Sequence, residues 1–479
     1  MNYRMIRYLL SVILLIEAVF MTLSTGVSLI YEESVLPFVI TIVLILCISL
    51  PFALFKPKNT QIFAKEGFVT VAAGWMLLSA FGALPFVFSS DIPNYIDAFF
   101  ETVSGFTTTG ATLLTNVEDL PRGLLFWRSL THWIGGMGVL VFMLAILPSA
   151  DGQTMHLMRA EVPGPTKGKL VPKMRQSSLI LYGIYVALTV IEIAILLAVG
   201  MPLYDSVVNS LGTAGTGGFS VLNNSIAGYN NPVAEWVIAI FMLLFGVNFN
   251  IYFFILMGKA RDALKSEELR AYLAIVVFST VAIAIDTASR FDSASETIRA
   301  AFFQVTSIVS TTGYSTVDFN LWSGFSKTII LMLMITGACA GSTAGGLKIS
   351  RVLILCKSAL KEIRFMRRPK SINVVRLDGE VLPSGVVRSA SGYIVVYLLI
   401  LFITSLLISI DGFSLETNIS ATFATLNNVG PGFDAVGPMG NFSIFSNFST
   451  LILSFTMLIG RLEIMPMMIL FSTVFGKRK

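Results

Sequence analysis

The sequence predicts an all-α polytopic membrane protein: four membrane-pore-membrane repeats around a central pore, plus two extra N-terminal transmembrane helices. Three observations lead there. The 479 residues are 55% hydrophobic and only 13% charged, where soluble chains carry about 25% charge. A Thr/Gly-rich stretch recurs four times at roughly hundred-residue intervals, and self-similarity at a fixed period marks a repeat architecture. Lys and Arg gather in alternate connections between apolar segments, as in chains that cross a membrane repeatedly.

The recurring stretch reads FFETVSGFTTTGAT over Phe99–Thr112, VVNSLGTAGTGGFS over Val207–Ser220, FFQVTSIVSTTGYST over Phe302–Thr316 and SATFATLNNVGPGF over Ser420–Phe433. Its key glycines are read at Gly110, Gly217, Gly313 and Gly430. One copy alone would be an ordinary Gly/Thr turn. Four copies read as pore loops, in which a short helix enters the membrane, stops, and returns as an extended segment. Glycine permits the positive φ that turns successive carbonyls toward one axis. Four such segments can replace the hydration shell of a cation, and the helix C-termini add negative potential there. The expected filter is Thr108, Thr109, Gly110; Thr216, Gly217, Gly218; Thr311, Thr312, Gly313; and Asn428, Val429, Gly430.

The elements follow in order. Tyr8–Ile30 and Leu36–Phe55 each supply about the 20 residues that a spanning helix needs. No pore loop follows either, so residues 1–58 stand outside the repeats. Repeat one, 59–150, has spans Gly67–Phe88 and Leu124–Leu147 around a pore helix at Tyr95–Phe106. Repeat two, 151–262, has spans Leu179–Val199 and Val233–Met257 around a helix near Leu203–Leu211. Repeat three, 263–376, has the span Leu269–Ala288, a pore helix at Thr297–Val309, and a second span from Phe325. Repeat four, 377–479, has spans Val386–Ile410 and Phe445–Phe475 around Thr417–Leu426. That makes ten spans and four re-entrant loops.

Most basic residues lie in Met1–Arg7, Lys56–Lys65, Arg159–Arg175, Lys259–Arg270, Lys348–Arg376 and Lys477–Lys479. The positive-inside rule then places both termini in the cytoplasm of a multi-pass plasma-membrane protein, with the filters opening outward. The pore-loop connections carry acids instead, such as Asp97, Glu118, Asp119, Asp205 and Glu416. These concentrate cations or simply solvate loops. The net charge of +5 follows from topology and calls for no nucleic acid. The three cysteines suggest neither disulfides nor metal. No cleavable signal peptide is evident.

Repeat three contains Thr336–Gly346, a run of small residues including Gly337, Gly341, Gly345 and Gly346. Each glycine costs a helix about 1 kcal/mol relative to alanine. Irregular backbone at membrane depth is tolerated where it is buried in protein or lines a cavity. The run is expected to be a gate beneath the filter; close helix packing is the alternative. Arg461 lies near the middle of the last expected span, where an arginine costs about 2.5–3.5 kcal/mol to insert. It is expected across from the small-residue run, either as a charge barrier to cations or as a donor to that run's carbonyls. Glu463 is a possible neutralising neighbour. His132 is read as a core histidine rather than a proton relay, and Glu17, Glu192, Glu235 and Asp286 receive no transport role.

With its four degenerate Thr/Gly filters, small-residue loop and Gly460-Arg461-Leu462-Glu463 segment, the chain resembles the TrkH/TrkG/KtrB superfamily of potassium transporters over essentially its whole length. The two extra N-terminal spans make it more similar to the TrkH type. The resemblance implies K+ as the transported ion, with a homodimer in membrane lipid. It also implies a cytosolic TrkA-like ring of RCK subunits, binding NAD(H) or ATP/ADP, to which the basic loops could dock. It implies filter glycines at all four positions, which favours potassium over sodium, and a gate at Gly337–Gly346 with Arg461. The fourth filter departs from pattern at Asn428-Val429-Gly430-Pro431, which implies relaxed symmetry.

Two other transport readings stand beside a gated potassium pathway. One is symport with H+ or Na+, although no paired mid-span acids announce a coupling site. The other is the membrane subunit of an ATP-driven pump, like KdpA; no nucleotide-binding P-loop is present. Nothing in the sequence suggests an enzyme.

Overall fold

The computed structural model describes residues 1–138, 174–370 and 373–475. Residues 139–147 of the expected returning span of repeat one, His156, the basic run 159–173 and Lys477–Lys479 lie outside them. The described chain is helical apart from loops and a two-residue hairpin pairing Arg376–Leu377 with Glu380–Val381.

Two long helices, Tyr3–Ile30 and Leu36–Ala53, come first. Asn2 caps the former by accepting the Met5 N–H. The latter is largely apolar, burying Phe38 and Ile45 while exposing Leu36, Val43 and Leu50, as expected where hydrocarbon faces the helix on one side and protein on the other. Six helices among the described residues are long and apolar enough to cross a membrane, and a seventh span results if the bent pair Pro232–Phe245 and Phe249–Leu256 is counted as one. The remaining expected spans are the four returning helices; that of repeat one is described only to residue 138, and the others are broken.

Each repeat then runs outer helix, pore helix, returning helix. The pore helices are Tyr95–Phe106, Leu203–Gly215, Ala294–Val309 and Leu415–Leu426. Each carries an acid in its first turn: Asp97, Asp205, Glu296 and Glu416. A carboxylate there complements the helix dipole and leaves the partial negative charge at the opposite, buried end. Asn94, Ser293 and Ser414 add side-chain caps.

The packing is cyclic. Each pore helix lies against the two flanking helices of its own repeat, and also against the returning helix of the preceding repeat. Leu203–Gly215 thus touches Arg122–Gly136, Ala294–Val309 touches Pro232–Phe245, and Leu415–Leu426 touches Gly324–Ile335. Tyr95–Phe106 closes the circle against Asn447–Arg461 of repeat four.

The sequence anticipates a broken return only in repeat three, yet among the described residues the returns of repeats two and four are broken as well. Repeat two bends by 90° between Phe245 and Phe249, where Asn248 starts a new helix by accepting the Asn250 N–H. Repeat three stops at Ile335 and resumes at Ile349. Repeat four stops at Arg461 and resumes at Met465. Arg461 therefore sits at a helix end rather than mid-span.

Candidate functional site

At the buried end of every pore helix the backbone repeats one conformation. Thr108, Thr216, Thr311 and Asn428 are left-handed, with φ of 55°, 54°, 58° and 54°. Two residues on, Gly110, Gly218, Gly313 and Gly430 have φ of 80°, 78°, 87° and 98°. The intervening residue donates its N–H five residues back in each copy: Thr109 to Ser104 O, Gly217 to Gly212 O, Thr312 to Ser307 O, Val429 to Ala424 O. This register corrects the sequence reading in repeat two. Gly218, not Gly217, is the counterpart of Gly110, Gly313 and Gly430. A threonine at positive φ is strained by about 1–2 kcal/mol, and such strain concentrates where function demands it.

The four segments close into a ring. A Cβ added to Gly110 would lie 2.0 Å from Gly217 O; one on Gly218, 2.0 Å from Thr312 O; one on Gly313, 2.3 Å from Val429 O; one on Gly430, 2.7 Å from Thr109 O. Each glycine thus sits against the carbonyl of the next repeat, and the fourth returns to the first. All four glycines line one open cavity of about 230 Å³ above the ring.

Side chains brace three of the segments from behind. Thr107 and Thr109 share a hydroxyl hydrogen bond of 2.8 Å, and Ser310 and Thr312 one of 2.7 Å. Asn428 Nδ2 donates to Thr109 Oγ1 at 2.9 Å and to Met457 O at 3.0 Å, so the fourth segment is tied to the first.

The small-residue run lies beneath this ring. Gly345 N–H donates to Thr311 Oγ1 at 2.7 Å, and a Cβ on Gly345 would lie 2.5 Å from Asn427 O. Gly337 packs on Gly345 and Gly346, and Gly341 on Asn248. The run is also stitched to the bend of repeat two: Cys339 N–H donates to Gly246 O and Phe249 N–H to Gly341 O. Buried Lys348 donates to the carbonyls of Ala344 and Gly345.

Arg461 faces the run. Nη1 donates to Thr343 O at 2.7 Å, and Nη2 to Gly135 O at 2.7 Å and Gly136 O at 3.0 Å. One guanidinium thereby joins repeats four, three and one. Glu463 does not pair with it; Glu463 pairs with Arg351 instead.

Glu268, which the sequence reading passed over, anchors the run. Its Oε1 accepts the Ala340 N–H at 2.8 Å and the Ser350 N–H at 3.0 Å. Only the fold brings these groups together. Glu268→Gln keeps an acceptor but removes the charge from both bonds, and is expected to cost about 1 kcal/mol per bond, the difference between charged and neutral hydrogen bonds, read as a lowered unfolding midpoint.

A second group that the sequence did not signal lies at the cavity wall. Arg128 Nε and Nη2 donate to Glu101 Oε1 at 2.8 and 2.5 Å, with both side chains nearly fully buried. Glu101 also accepts from Thr112 Oγ1 and the Leu113 N–H. The Arg128 guanidinium rests 3.8 Å from the Phe219 ring centroid, next to Gly218 of the neighbouring repeat. Arg128→Met strands a buried carboxylate and is expected to destabilise the protein by about 3–5 kcal/mol; Glu101→Gln combined with Arg128→Met is expected to recover part of that loss in thermal unfolding.

The chain matches the family model described as TrkH, cation transport protein, over residues 37–477. It is 36% identical over 430 residues to the Trk system potassium uptake protein TrkH of Salmonella typhimurium, covering 88% of each chain. It is 32% identical to TrkG of Escherichia coli, covering 94% of each. The crystal structure of the potassium transporter TrkH from Vibrio parahaemolyticus superposes with a TM-score of 0.88 at 29% identity, covering 100% of both chains. The chain belongs to the TrkH family of cation transport proteins, a family of multi-pass membrane transporters rather than enzymes.

Proposed function

We propose that this chain carries potassium ions across a cell membrane, through a filter made of residues 108–110, 216–218, 311–313 and 428–430. The observation that carries this reading is the closed ring in which each positive-φ glycine abuts a carbonyl of the next repeat. Ring carbonyls of this kind substitute for the water around a dehydrated cation, and four pore-helix C-termini favour positive charge there. The names of the relatives, potassium uptake proteins, support the choice of ion.

The run Gly337–Gly346, held by Arg461, is the gate. In its present position it lies under Thr311 and Asn427, and Arg461 adds a positive charge beside it. Opening requires the run to leave the axis. Both termini and the basic connections face the cytoplasm. The chain works as a homodimer in lipid, with a cytosolic regulatory ring that binds NAD(H) or ATP/ADP.

The test is K+ and Rb+ flux in proteoliposomes holding this chain alone, with the membrane potential set by an ionophore. Flux that follows its own electrochemical gradient, with Na+ and Li+ excluded, supports the reading. Flux that stays dependent on an imposed proton or sodium gradient makes the protein a coupled symporter instead.

A further inference from the structure

Repeat two alone has no side chain at either position flanking its left-handed residue, where repeat four has Asn427 and Val429, and the gap has a filler. Where repeat one has Thr107 and Thr109, and repeat three has Ser310 and Thr312, repeat two has Gly215 and Gly217. The hydroxyl brace seen behind the first and third segments has no atoms to form from here. The backbone does not ask for these glycines. Gly215 ends a helix, and Gly217, unlike Gly218, is outside the left-handed region. Space is what excludes a side chain. A Cβ on Gly217 would lie 2.2 Å from His132 Cγ, and one on Gly215 2.3 Å from His132 O.

His132 comes from the returning helix of repeat one and is fully buried. Its two ring nitrogens bind to opposite sides. Nε2 lies 3.3 Å from Phe219 N, immediately after the filter glycine of repeat two, and Nδ1 lies 2.7 Å from Gly105 O in the pore helix of repeat one. A backbone N–H can only donate and a carbonyl only accept. The ring is therefore neutral, with its proton on Nδ1. The ring also lies against Phe219, tilted by 32°, with centroids 4.1 Å apart.

We propose that His132 is the missing side chain of the second filter segment. The imidazole occupies the volume that Thr109 and Thr312 occupy elsewhere, and it replaces the hydroxyl brace with a bridge between two repeats. It is a positioning residue: it touches no ion, but fixes the Gly217 and Gly218 carbonyls that complete the ring. The inference rests on the filter reading for its effect on ions, and on packing alone for the His132–Gly217 contact.

The test is a size exchange in the full chain. Gly217→Thr puts a side chain into the imidazole, His132→Ala empties the space, and the double variant restores a threonine as in repeats one and three. The ratio of K+ to Na+ flux in proteoliposomes is expected to fall about tenfold in each single variant, the scale of one lost buried hydrogen bond, and to recover most of the way in the double. His132→Gln, which keeps a donor and an acceptor, is expected to lose less than His132→Ala. The same cycle in thermal unfolding should show the double variant more stable than the sum of the singles predicts. A His132→Ala protein with the wild-type flux ratio, or a double variant no better than the worse single, overturns the proposal. If the wild-type chain itself fails to separate K+ from Na+, the filter reading fails; the unfolding cycle then decides the packing claim, with strict additivity overturning it.

Discussion

Replacing Arg461 with alanine is expected to raise passive K+ flux at least tenfold. The side chain holds three carbonyls from two other repeats, Thr343, Gly135 and Gly136. On the proposed function, removing it loosens the run beneath the ring and deletes a positive charge from the ion's path. A cation passing the guanidinium is repelled by it, so loss of the charge adds to the effect. The same change leaves three acceptors without their charged donor, and each such bond is worth about 1.5–3 kcal/mol. Stability should therefore drop while flux rises. Arg461→Lys keeps the charge but not the planar fork that spans two repeats, so its flux should fall between wild type and alanine. Tracer Rb+ uptake at equal protein density, with unfolding midpoints alongside, checks both. A destabilised alanine variant with unchanged flux would reduce Arg461 to a structural tie.

The ring glycines carry the second large effect, and they should not respond equally. Alanine at Gly110 or Gly218 meets a carbonyl oxygen at 2.0 Å, at Gly313 at 2.3 Å, and at Gly430 at 2.7 Å. All four also take on left-handed strain of about 1–2 kcal/mol. The order of damage should be Gly110 and Gly218 worst, Gly313 next and Gly430 mildest. Selective K+ flux should vanish in the first two and survive in part in Gly430→Ala. The order matters more than the loss, because a general folding defect would not track the distance from each glycine to the neighbouring carbonyl.

Much of this architecture is legible in the sequence. The pore helix of repeat one matches its expected bounds, Tyr95–Phe106, and the other three begin or end within a few residues of expectation. The apolar runs and the Thr/Gly stops leave little choice there. The register of repeat two was not legible, because Gly217-Gly218 offers two alignments and only φ and the neighbouring carbonyl choose between them. The breaks in repeats two and four escaped for a different reason. Gly246-Val247-Asn248 and Leu462-Glu463-Ile464 are short interruptions inside long apolar runs, and a hydropathy average passes over them. The position of Arg461 in an apolar run points it to the small-residue run, whose Thr343 O it bonds, but its reach to Gly135 and Gly136 of repeat one comes from the cyclic packing. Glu268, and the Glu101–Arg128 pair with Phe219, left no spacing signal, since their partners lie in other segments of the chain.

A dehydrated potassium ion is expected in the ring of Gly110, Gly218, Gly313 and Gly430. The most direct measurement is anomalous diffraction from crystals of this chain grown in Rb+, compared with crystals grown in Na+. Rubidium peaks on the axis between the four segments, absent in sodium and lost in Gly218→Ala, are the expected result. Rubidium that binds only away from the ring, or a ring that holds sodium equally well, would contradict the account.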